Sequence, residues 1–423
     1  MRLKQENSNT NVIKLYMAKK NVLMVCAVFY PEPIVSARLM TDLAGELAKK
    51  YNVTVIRPRP SRPMGFKMPD YNYDNFTFKV IEVDSYIHPA SSFIGRYKEN
   101  RSFAKVAMEY IEINHESIDF LFNSPWQLFG VNWLAHKAVK YGIPYITPVQ
   151  DLYPESMISK LPNITILHKL VTKLLLPLDI YNHKHAARVY TNSIKMLNDL
   201  VSSRHIPESK YMVVRNWQNE KEFTDYAEKH EGEKRCEGPF TFMYLGNVGP
   251  LAGVDTLFEA LKLANLPDAR LVIAGSGSAK AGLMEKAKEY TGCNIEFWEV
   301  PAGMVPSTQA KADVMCLPVM KGFALSSVPS KLPAYMFSAK PVLAAVDKES
   351  DSAQCIRLSG GGWVAEPENP SSISEYMLKA YNTDQKQLTE MGNKAFDYSI
   401  STFSRKINLP ILTNACIEII EKN

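Results

Sequence analysis

Two loops rich in glycine have the residue types needed to bind a phosphate group. The first contains Gly246, Asn247 and Gly249, the second contains Gly275 and Gly277, and each follows an apolar run. Glycines let backbone amides and the start of a helix come close to an anion. A tight strand-to-helix turn needs glycine for steric reasons alone, so either loop by itself leaves both interpretations open. Two such loops after successive strands of one sheet would open on the same edge, which favours a shared anion site.

Lysine and serine residues near these loops could add positive charge and helix-capping oxygens. Lys280 follows the second loop and could either reach a phosphate as a point charge or lie on a solvated helix surface. Further on, Ser326, Ser327 and Ser330 can each cap a helix that begins near Lys331. The dipole of a helix favours anions at its start, and Lys331 adds a positive charge there. We therefore interpret Ser330 and Lys331 as a diphosphate-binding pair rather than as an ordinary helix cap.

An acidic loop follows the apolar run 144–150 and contains Asp151 and Glu155. A carboxylate at the end of a buried strand could accept a proton from a hydroxyl group. Pro154 suits the first position of a helix, so the same acidic residues could instead cap that helix. On residue types alone, helix capping is the favoured interpretation.

The stretch 167–181 combines apolar residues at helical spacing with Lys169 and Lys173 on the remaining face. A basic amphipathic helix of this kind can lie in the interface of a lipid membrane. It can equally pack its apolar face against a sheet, and both alternatives stay open. The apolar residues are Leu167, Leu170, Val171, Leu174, Leu175 and Leu178.

Composition and charge exclude several classes of protein. The net charge of +5 is small for 423 residues and its basic residues are spread out, which argues against a nucleic-acid partner. The eight histidines show no metal-binding spacing and no serine or cysteine nucleophile is indicated, so we expect no metal and no other cofactor. No apolar run reaches the ~18 residues of a spanning helix. The six scattered cysteines are typical of free thiols in a reducing compartment, so we expect the protein in the cytoplasm.

Strand-like and helix-like stretches alternate along the chain, a pattern typical of parallel sheets covered by helices. The alternation lapses near residues 219–238 and then starts again. We therefore predict two doubly wound α/β domains over 20–220 and 239–402, after a leader over 1–19. A last helical stretch over 403–423 could cross back to the first domain. The predicted strands are 22–30, 53–58, 78–84, 118–124, 144–150, 240–246, 269–275, 295–300, 312–318, 341–346 and 361–366.

Taken in order, the loops resemble those of the retaining glycosyltransferases of family 4, which have the GT-B fold. The resemblance covers roughly residues 20–415 and implies two Rossmann-like domains that face an interdomain cleft. It is close to the subgroup that transfers N-acetylated amino sugars, such as N-acetylfucosamine, during O-antigen and capsule assembly. The matching segments are PEPIVSARLMTDLAGELAKKYNVTVI, IPYITPVQDLYPES, VVRNWQN, YLGNVGPLAGVDTLFEAL, LVIAGSGS and VPSKLPAYMFSAKPVL.

The resemblance implies roles for individual residues, carried over by position. Ser330 and Lys331 would hold the donor phosphates, and Lys331 would be catalytic together with Asp151. Asp351 would lie near the donor sugar. The remaining members of the donor-binding set are Gly246, Asn247, Gly249, Gly275, Gly277 and Lys280.

The resemblance also implies the reaction and its partners. The donor would be a UDP-linked N-acetylated amino or deoxy sugar, and the acceptor a polyprenyl-diphosphate-linked saccharide. Transfer would retain the anomeric configuration and would need no metal ion. Asp151, with Arg38 near it and Glu155 beside it, would lie on the acceptor side. Contact of the stretch 167–181 with the inner membrane surface would make the protein peripheral on the cytoplasmic face.

Three departures from the family pattern are visible. The family commonly has an arginine after the strand glycine and a lysine five residues further on, where this chain has Asn247 and Ala252. Its two signature glutamates would fall at Ser326 and Ala334. The first loop, which usually contains a glycine pair, has Pro-Ile-Val at 33–35. The first two departures resemble the amino-sugar subgroup, and the third changes the backbone that would contact donor or acceptor.

Two other functions compete with sugar transfer. A sugar-nucleotide epimerase also pairs two Rossmann-like domains, but it needs acid and base groups around the sugar, and the loops of the second domain show no surplus of carboxylates or histidines. A two-domain sugar-binding protein with a hinge would need no catalytic residues. The absence of a recognisable signal peptide argues against that class.

Overall fold

The computed structural model describes most of the chain in eleven stretches. The predicted leader lies outside them apart from Lys19, and the candidate caps Ser326 and Ser327 also lie outside, as does Cys236. The described residues are 19–62, 64, 66–88, 92–126, 128–158, 161–162, 164–231, 238–249, 252–301, 303–325 and 328–422.

Thirteen strands within the described residues form two sheets, of seven and six strands. The first sheet has the order β3-β2-β1-β4-β5-β6-β7 and the second the order β10-β9-β8-β11-β12-β13. The strand pairs with an assigned register are parallel, as in β1 against β2 and β4, or β8 against β9 and β11. The strands are β1 (Asn21–Cys26), β2 (Asn52–Pro58), β3 (Lys79–Val83), β4 (Phe120–Ser124), β5 (Tyr145–Val149), β6 (Arg188–Thr191), β7 (Tyr211–Val213), β8 (Phe240–Leu245), β9 (Ala269–Ala274), β10 (Asn294–Trp298), β11 (Val314–Pro318), β12 (Val342–Ala345) and β13 (Gly362–Ala365).

Helices connect the strands, as parallel pairing requires. A short helix, α4 (Glu155–Ile158), follows β5, and a longer one, α5 (Thr165–His185), precedes β6. The other helices are α1 (Val35–Ala48), α2 (Phe93–Asn114), α3 (Phe129–Tyr141), α6 (Ile194–Arg204), α7 (Lys221–Lys229), α8 (Thr256–Ala264), α9 (Lys280–Ala287), α10 (Val305–Gln309), α11 (Lys331–Phe337), α12 (Asp351–Ser359), α13 (Pro370–Tyr381), α14 (Gln385–Phe403) and α15 (Arg405–Lys422).

The described residues divide into two compact units. Those within Met1–Pro148, Asn163–Tyr190 and Leu412–Asn423 form the first unit, and those within Val149–Pro162 and Thr191–Ile411 form the second. Residues 412–422 therefore belong to the same unit as the described residues up to 148. In that unit, the Tyr51 hydroxyl donates a hydrogen bond of 2.6 Å to the Glu421 carboxylate.

The second unit is built around a sheet that is buried on both faces. Phe242 and Tyr244 of β8 pack into one hydrophobic core, which includes residues of α8 and α13. Met243 and Leu245 pack into the other core, which includes residues of α11 and α14. Alternate residues of a strand point to opposite faces, so a strand that is apolar throughout can bury both faces. The helices on the two faces fix where the loops after the strands emerge.

Several features that the sequence predicted to be absent can be checked in the described part of the chain. There, no helix is both long enough and apolar enough to span a membrane. Nor does that part hold three or more His, Cys, Asp or Glu side chains grouped to bind a metal ion. Its five cysteines are free thiols, four of them buried; they are Cys26, Cys293, Cys316, Cys355 and Cys416.

Candidate functional site

The end of β8 and the start of α11 are locked together by one tyrosine. The buried Tyr335 hydroxyl accepts a hydrogen bond of 2.9 Å from the Leu245 amide and donates one of 2.7 Å to the Leu245 carbonyl. This pair of bonds fixes the register of α11 against the last residue of β8. Lys331 lies one helical turn before Tyr335, so the same bonds place it over the loop that follows β8.

Lys331 lies across this loop and is mostly buried. Its Nζ atom is 5.5 Å from the centroid of the Tyr244 ring, within range of a cation–π interaction. A Cβ atom on Gly246 would lie 2.4 Å from Lys331 Cε, so the lysine chain can take this path only because residue 246 is glycine. Burial lowers the pKa of the Lys331 ammonium. No described residue forms a hydrogen bond or ion pair with it.

The two glycine-rich loops pack against each other, backbone to backbone. Gly275 has a φ of +117°, and a Cβ atom there would lie 2.3 Å from the Gly246 carbonyl oxygen. A Cβ atom on Gly277 would lie 2.3 Å from the Val248 carbonyl oxygen. The Val248 amide donates a hydrogen bond of 2.8 Å to the Ser276 carbonyl. The structure thus brings both predicted loops and Lys331 to one edge of the second sheet.

Asn247 occupies the tip of the first glycine loop and is exposed. Its carbonyl oxygen accepts a hydrogen bond of 2.6 Å from the Tyr244 hydroxyl. Its side-chain amide nitrogen lies 3.4 Å from the place where a Cβ atom on Gly249 would be. Tyr244 therefore holds the loop through its hydroxyl group and contacts Lys331 through its ring. The side chain of Asn247 is accessible to a ligand.

Lys280 has partners other than the predicted phosphate. Its ammonium donates hydrogen bonds to the carbonyl oxygens of Gly275 and Trp298, at 2.8 and 3.3 Å, and to the Glu299 carboxylate at 2.6 Å. These three acceptors match the three N–H donors of a lysine. Lys280 therefore ties the loop after β9 to the loop after β10 and fixes the position of Gly275.

Ser330 does not form the side-chain cap that its type suggests. It is the residue before α11, but its backbone is helical, with φ −61°, and its side chain makes no capping hydrogen bond. Capping serines normally have an extended backbone that directs the hydroxyl at the following amides. The Ser330 carbonyl oxygen instead accepts a hydrogen bond of 3.0 Å from the Gln218 side chain. The Ser330 hydroxyl lies on an exposed residue beside Lys331.

Asp351 begins α12 and faces an arginine that the sequence interpretation did not single out. Arg215 Nη1 lies 3.6 Å from Asp351 Oδ2 and donates a hydrogen bond of 3.1 Å to the Asn192 carbonyl oxygen. Both charged side chains are largely buried. The segment VVRNWQN, noted only for its resemblance to the family, contains this arginine. No other sequence pattern indicated the Arg215–Asp351 pair, because the two residues lie far apart in the chain.

The acidic loop after β5 is held by an arginine of α6. The Arg204 guanidinium donates to both oxygens of Glu155, at 2.6 and 2.9 Å, and to the Tyr153 carbonyl oxygen at 2.5 Å. Its side chain is 1% exposed, whereas that of Glu155 is 48% exposed. Glu155 therefore anchors the loop on which Asp151 lies. Arg38 lies in α1 of the first unit, and Asp151 belongs to the second unit.

This arrangement predicts that Glu155 acts on stability. Replacing it with alanine should lower the free energy of unfolding by about 1–3 kcal/mol, because the buried Arg204 guanidinium would lose a bidentate partner. Urea denaturation of the variant and of Glu349→Ala, an exposed glutamate in the same unit, would measure the difference. Equal midpoints for the two variants would contradict the anchoring role.

Family models match both parts of the chain. Residues 36–220 match the model "Glycosyltransferase Family 4", and residues 225–397 match "Glycosyl transferases group 1". These adjoining matches, with the two parallel sheets, support a glycosyltransferase with the GT-B fold. The predicted GT-B fold is therefore confirmed.

Individual relatives are distant. A probable glycosyltransferase, WbjE of Pseudomonas aeruginosa, is 22% identical over 253 residues, which are 58% of this chain and 62% of that protein. The match thus spans less than two thirds of the relative's length. The structure of HepE from Anabaena in complex with UDP has a TM-score of 0.66 at 12% identity and covers 96% of this chain and 100% of its own. WaaG, a glycosyltransferase involved in lipopolysaccharide biosynthesis, has a TM-score of 0.61 at 14% identity, covering 94% and 99%.

Proposed function

We propose that this protein transfers a sugar from a nucleoside diphosphate donor, with Lys331 and the two glycine loops holding the diphosphate. The observation that carries the proposal is the Lys331 ammonium, which is buried beside the backbone of Gly246 and has no acidic partner among the described residues. A buried cation without a counter-charge is costly, and an anion bound at the loop would compensate it. The exposed amide side chain of Asn247 and the hydroxyl of Ser330 lie at the same edge.

The same residues could stabilise the leaving group without a metal ion. As the bond between sugar and diphosphate breaks, negative charge develops on the phosphate oxygens. A fixed ammonium and nearby N–H donors in a partly buried site stabilise such charge because they need little reorganisation. The acceptor hydroxyl then attacks the anomeric carbon on the face from which the nucleotide leaves and gives its proton to a departing phosphate oxygen, so the anomeric configuration is retained. Asp151 and Arg38 are the proposed acceptor-side residues, and Asp351 the proposed residue beside the donor sugar.

We propose a UDP-linked donor and a lipid-linked saccharide acceptor of bacterial surface polysaccharide synthesis. The structural relative HepE binds UDP, and WaaG acts in lipopolysaccharide biosynthesis, which supports this choice of partners. The resemblance to the amino-sugar subgroup favours an N-acetylated amino or deoxy sugar. These relatives share the fold at low identity, so the sugar itself has to be found by assay.

The test is a screen of UDP-linked sugars in the presence of EDTA, with and without a polyprenyl-diphosphate-linked saccharide. We expect release of UDP that depends on the acceptor and, by NMR of the product, an unchanged anomeric configuration. Conversion of the donor sugar in the absence of acceptor would instead identify an epimerase. Binding of a free sugar without any turnover would identify a binding protein.

Helix α5 provides a surface for the proposed membrane contact. Ile166, Leu170 and Leu174 lie one turn apart on one face and are 81, 53 and 62% exposed. Lys169 and Lys173 are exposed beside them. The leucines therefore do not all pack inward, and those on the exposed face alternate with lysines. This combination suits an interface with anionic lipid, where apolar side chains insert and lysines meet the headgroups.

Replacing Leu170 and Leu174 together by glutamate should weaken binding to vesicles of anionic phospholipid at least about tenfold. The change removes two apolar side chains from the interface and adds two negative charges. Co-sedimentation with the vesicles measures the loss. The matched control is Ile113→Glu, a residue of α2 in the same unit that is 80% exposed. If the control reduces binding as much as the double variant, α5 is not the contact.

A further inference from the structure

A second cluster of charged residues lies in the first unit, where the loops after β1 and β2 meet. Glu32, in the loop after β1, is 5% exposed. Its carboxylate accepts hydrogen bonds from the Phe29 amide at 3.0 Å and from the amides of Ser61 and Arg62, each at 2.8 Å. Glu32 therefore joins the two loops and fixes the backbone from which the Arg62 side chain extends.

Arg62 and Arg96 lie on either side of one carboxylate and share one aromatic ring. Arg62 donates to one oxygen of the buried Glu99 at 2.6 Å, and Arg96 donates to the other at 2.8 Å. Both guanidinium carbons are close to the Trp126 ring, at 5.5 and 5.9 Å from its centroid. We call Arg62, Arg96, Glu99 and Trp126 the arginine–tryptophan cluster. The shared ring and carboxylate fix the planes of both guanidinium groups.

Two N–H donors of this cluster find no acceptor among the described residues. Arg62 Nη1 and Trp126 Nε1 are both buried, and neither makes a hydrogen bond to the residues that the structure describes. An unpaired buried donor destabilises the folded protein, so a bound acceptor group would recover that free energy. Burial also lowers the pKa of the Arg62 guanidinium. Within the described part of the chain, the cluster therefore has more hydrogen-bond donors than acceptors.

The charges around the cluster are also unbalanced. Arg57, which is fully buried, lies 3.5 Å from Glu32, and Arg62 and Arg96 share Glu99. Arg57 also lies beside Glu82 of the neighbouring strand β3. Among the described residues the imbalance is therefore confined to the cluster itself, where two guanidinium groups share one carboxylate. The Arg96 side chain is 39% exposed, so a ligand in solution can reach the cluster. The unused hydrogen-bonding capacity of the cluster and the sharing of one carboxylate by two guanidinium groups both favour an anion.

The position of the cluster in the sheet supports a ligand site. Arg62 follows β2 and Trp126 follows β4, and these two strands lie on either side of β1 in the first sheet. Strands β2 and β3 lie on one side of β1, and β4 and the strands after it lie on the other side. The direction in which successive strands are added therefore reverses next to β1. Sheets of this kind bind ligands outside the carboxyl ends of their strands at such a reversal.

We propose that Arg62, Arg96 and Trp126 bind the diphosphate group of the lipid-linked acceptor. The inference rests on the proposed function for the identity of the acceptor, and on the cluster alone for its chemistry. Guanidinium groups with fixed planes bind phosphate oxygens in bidentate geometry, and the indole N–H supplies a further donor. Glu99 and Glu32 are positioning residues that hold the arginines in place.

The kinetic test uses Arg96→Gln, with Arg101→Gln as the matched control because Arg101 is an exposed arginine of the same helix α2. We expect Arg96→Gln to raise the KM for the lipid-linked acceptor about tenfold or more, while kcat and the KM for the donor change little. Trp126→Phe, which keeps the ring and removes the N–H, should raise the same KM to a smaller extent. Acceptor KM values equal to that of Arg101→Gln in both variants would overturn the proposal.

A binding test separates this inference from the proposed function. Inorganic pyrophosphate is titrated calorimetrically into Lys331→Met, in which the proposed donor site is disabled, and into the same protein with Arg96→Gln added. Pyrophosphate binding that survives Lys331→Met and weakens about tenfold with Arg96→Gln would support the cluster as an anion site. This binding result would support the cluster even if Lys331→Met transferred sugar at the normal rate. Normal transfer by Lys331→Met would contradict only the assignment of the donor site. Loss of all pyrophosphate binding in Lys331→Met would overturn the cluster proposal.

Discussion

Replacing Lys331 with methionine should reduce sugar transfer by roughly two to three orders of magnitude, the usual effect of removing one preorganised group from a site of developing charge. Methionine is unbranched like lysine and can follow the same path over Gly246, so the packing of α11 on the loop is kept while the ammonium is lost. The initial rate of UDP release at saturating donor and acceptor measures the effect. The control is Lys348→Met, an exposed lysine of the same unit.

The same substitution should leave the unliganded protein at least as stable as the wild type. Burial lowers the pKa of Lys331, which means that folding disfavours its charged form. The cost of burying the charged lysine is present in full below the folded-state pKa and is lost as the pH rises through the unfolded-state pKa. Methionine removes that cost. A large fall in the melting temperature of the unliganded variant would show that Lys331 stabilises the fold, and would contradict its role as a ligand-binding residue.

Replacing Gly275 with alanine should lower the rate of sugar transfer at least about 100-fold. The new Cβ atom would lie 2.3 Å from the Gly246 carbonyl oxygen, and the φ of +117° is one that alanine rarely adopts. Such backbone strain costs about 1–3 kcal/mol before any clash is counted, and the loop after β8 must move away to relieve the clash. That movement displaces the backbone under Lys331. The melting-temperature rise caused by saturating UDP should disappear in this variant.

Gly282→Ala is the matched control for Gly275→Ala. Gly282 lies in α9, a few residues further along the same unit, and a Cβ atom there would meet nothing within 4 Å. Alanine in a helix is favoured over glycine by about 1 kcal/mol, so this variant should be slightly more stable and fully active. Equal UDP-induced shifts in the two glycine variants would contradict the close packing of the two loops.

The sequence predicted most of the fold because most strands are long, apolar and separated by helices. The run 240–246 became β8 (Phe240–Leu245), and the run 269–275 became β9 (Ala269–Ala274). Strands β6 (Arg188–Thr191) and β7 (Tyr211–Val213) were missed, since β6 has polar residues at both ends and β7 has only three residues, so neither shows a usable pattern. The prediction for β1 was too long, because the apolar residues after Cys26 continue into a buried loop rather than along the strand.

The candidate site could be predicted only as far as sheet topology determines it. Two loops after neighbouring parallel strands must meet at one edge, which is why Gly246 and Gly275 were correctly expected together. Lys280 was harder to interpret, because its partners Trp298 and Glu299 lie on the next strand and its loop. The conformation of Ser330 was hard to predict for a similar reason, since its helical backbone, which leaves no side-chain cap, depends on how α11 packs.

The arginine–tryptophan cluster could not be predicted from the sequence. Its members come from the loops after β2 and β4 and from α2, and no short motif connects them. Isolated arginines are common on protein surfaces and indicate no particular site. Only the structure brings them around one carboxylate, with two donors that no described residue accepts from.

The most direct test of the donor site is a crystal structure of the protein, determined from crystals soaked with UDP in the presence of EDTA. The proposal predicts that the diphosphate lies at the loop after β8, with a phosphate oxygen within hydrogen-bonding distance of the Lys331 ammonium and with Gly246 and Gly275 beneath it. UDP bound with its diphosphate away from Lys331, or bound only when a divalent metal ion is supplied, would contradict the account.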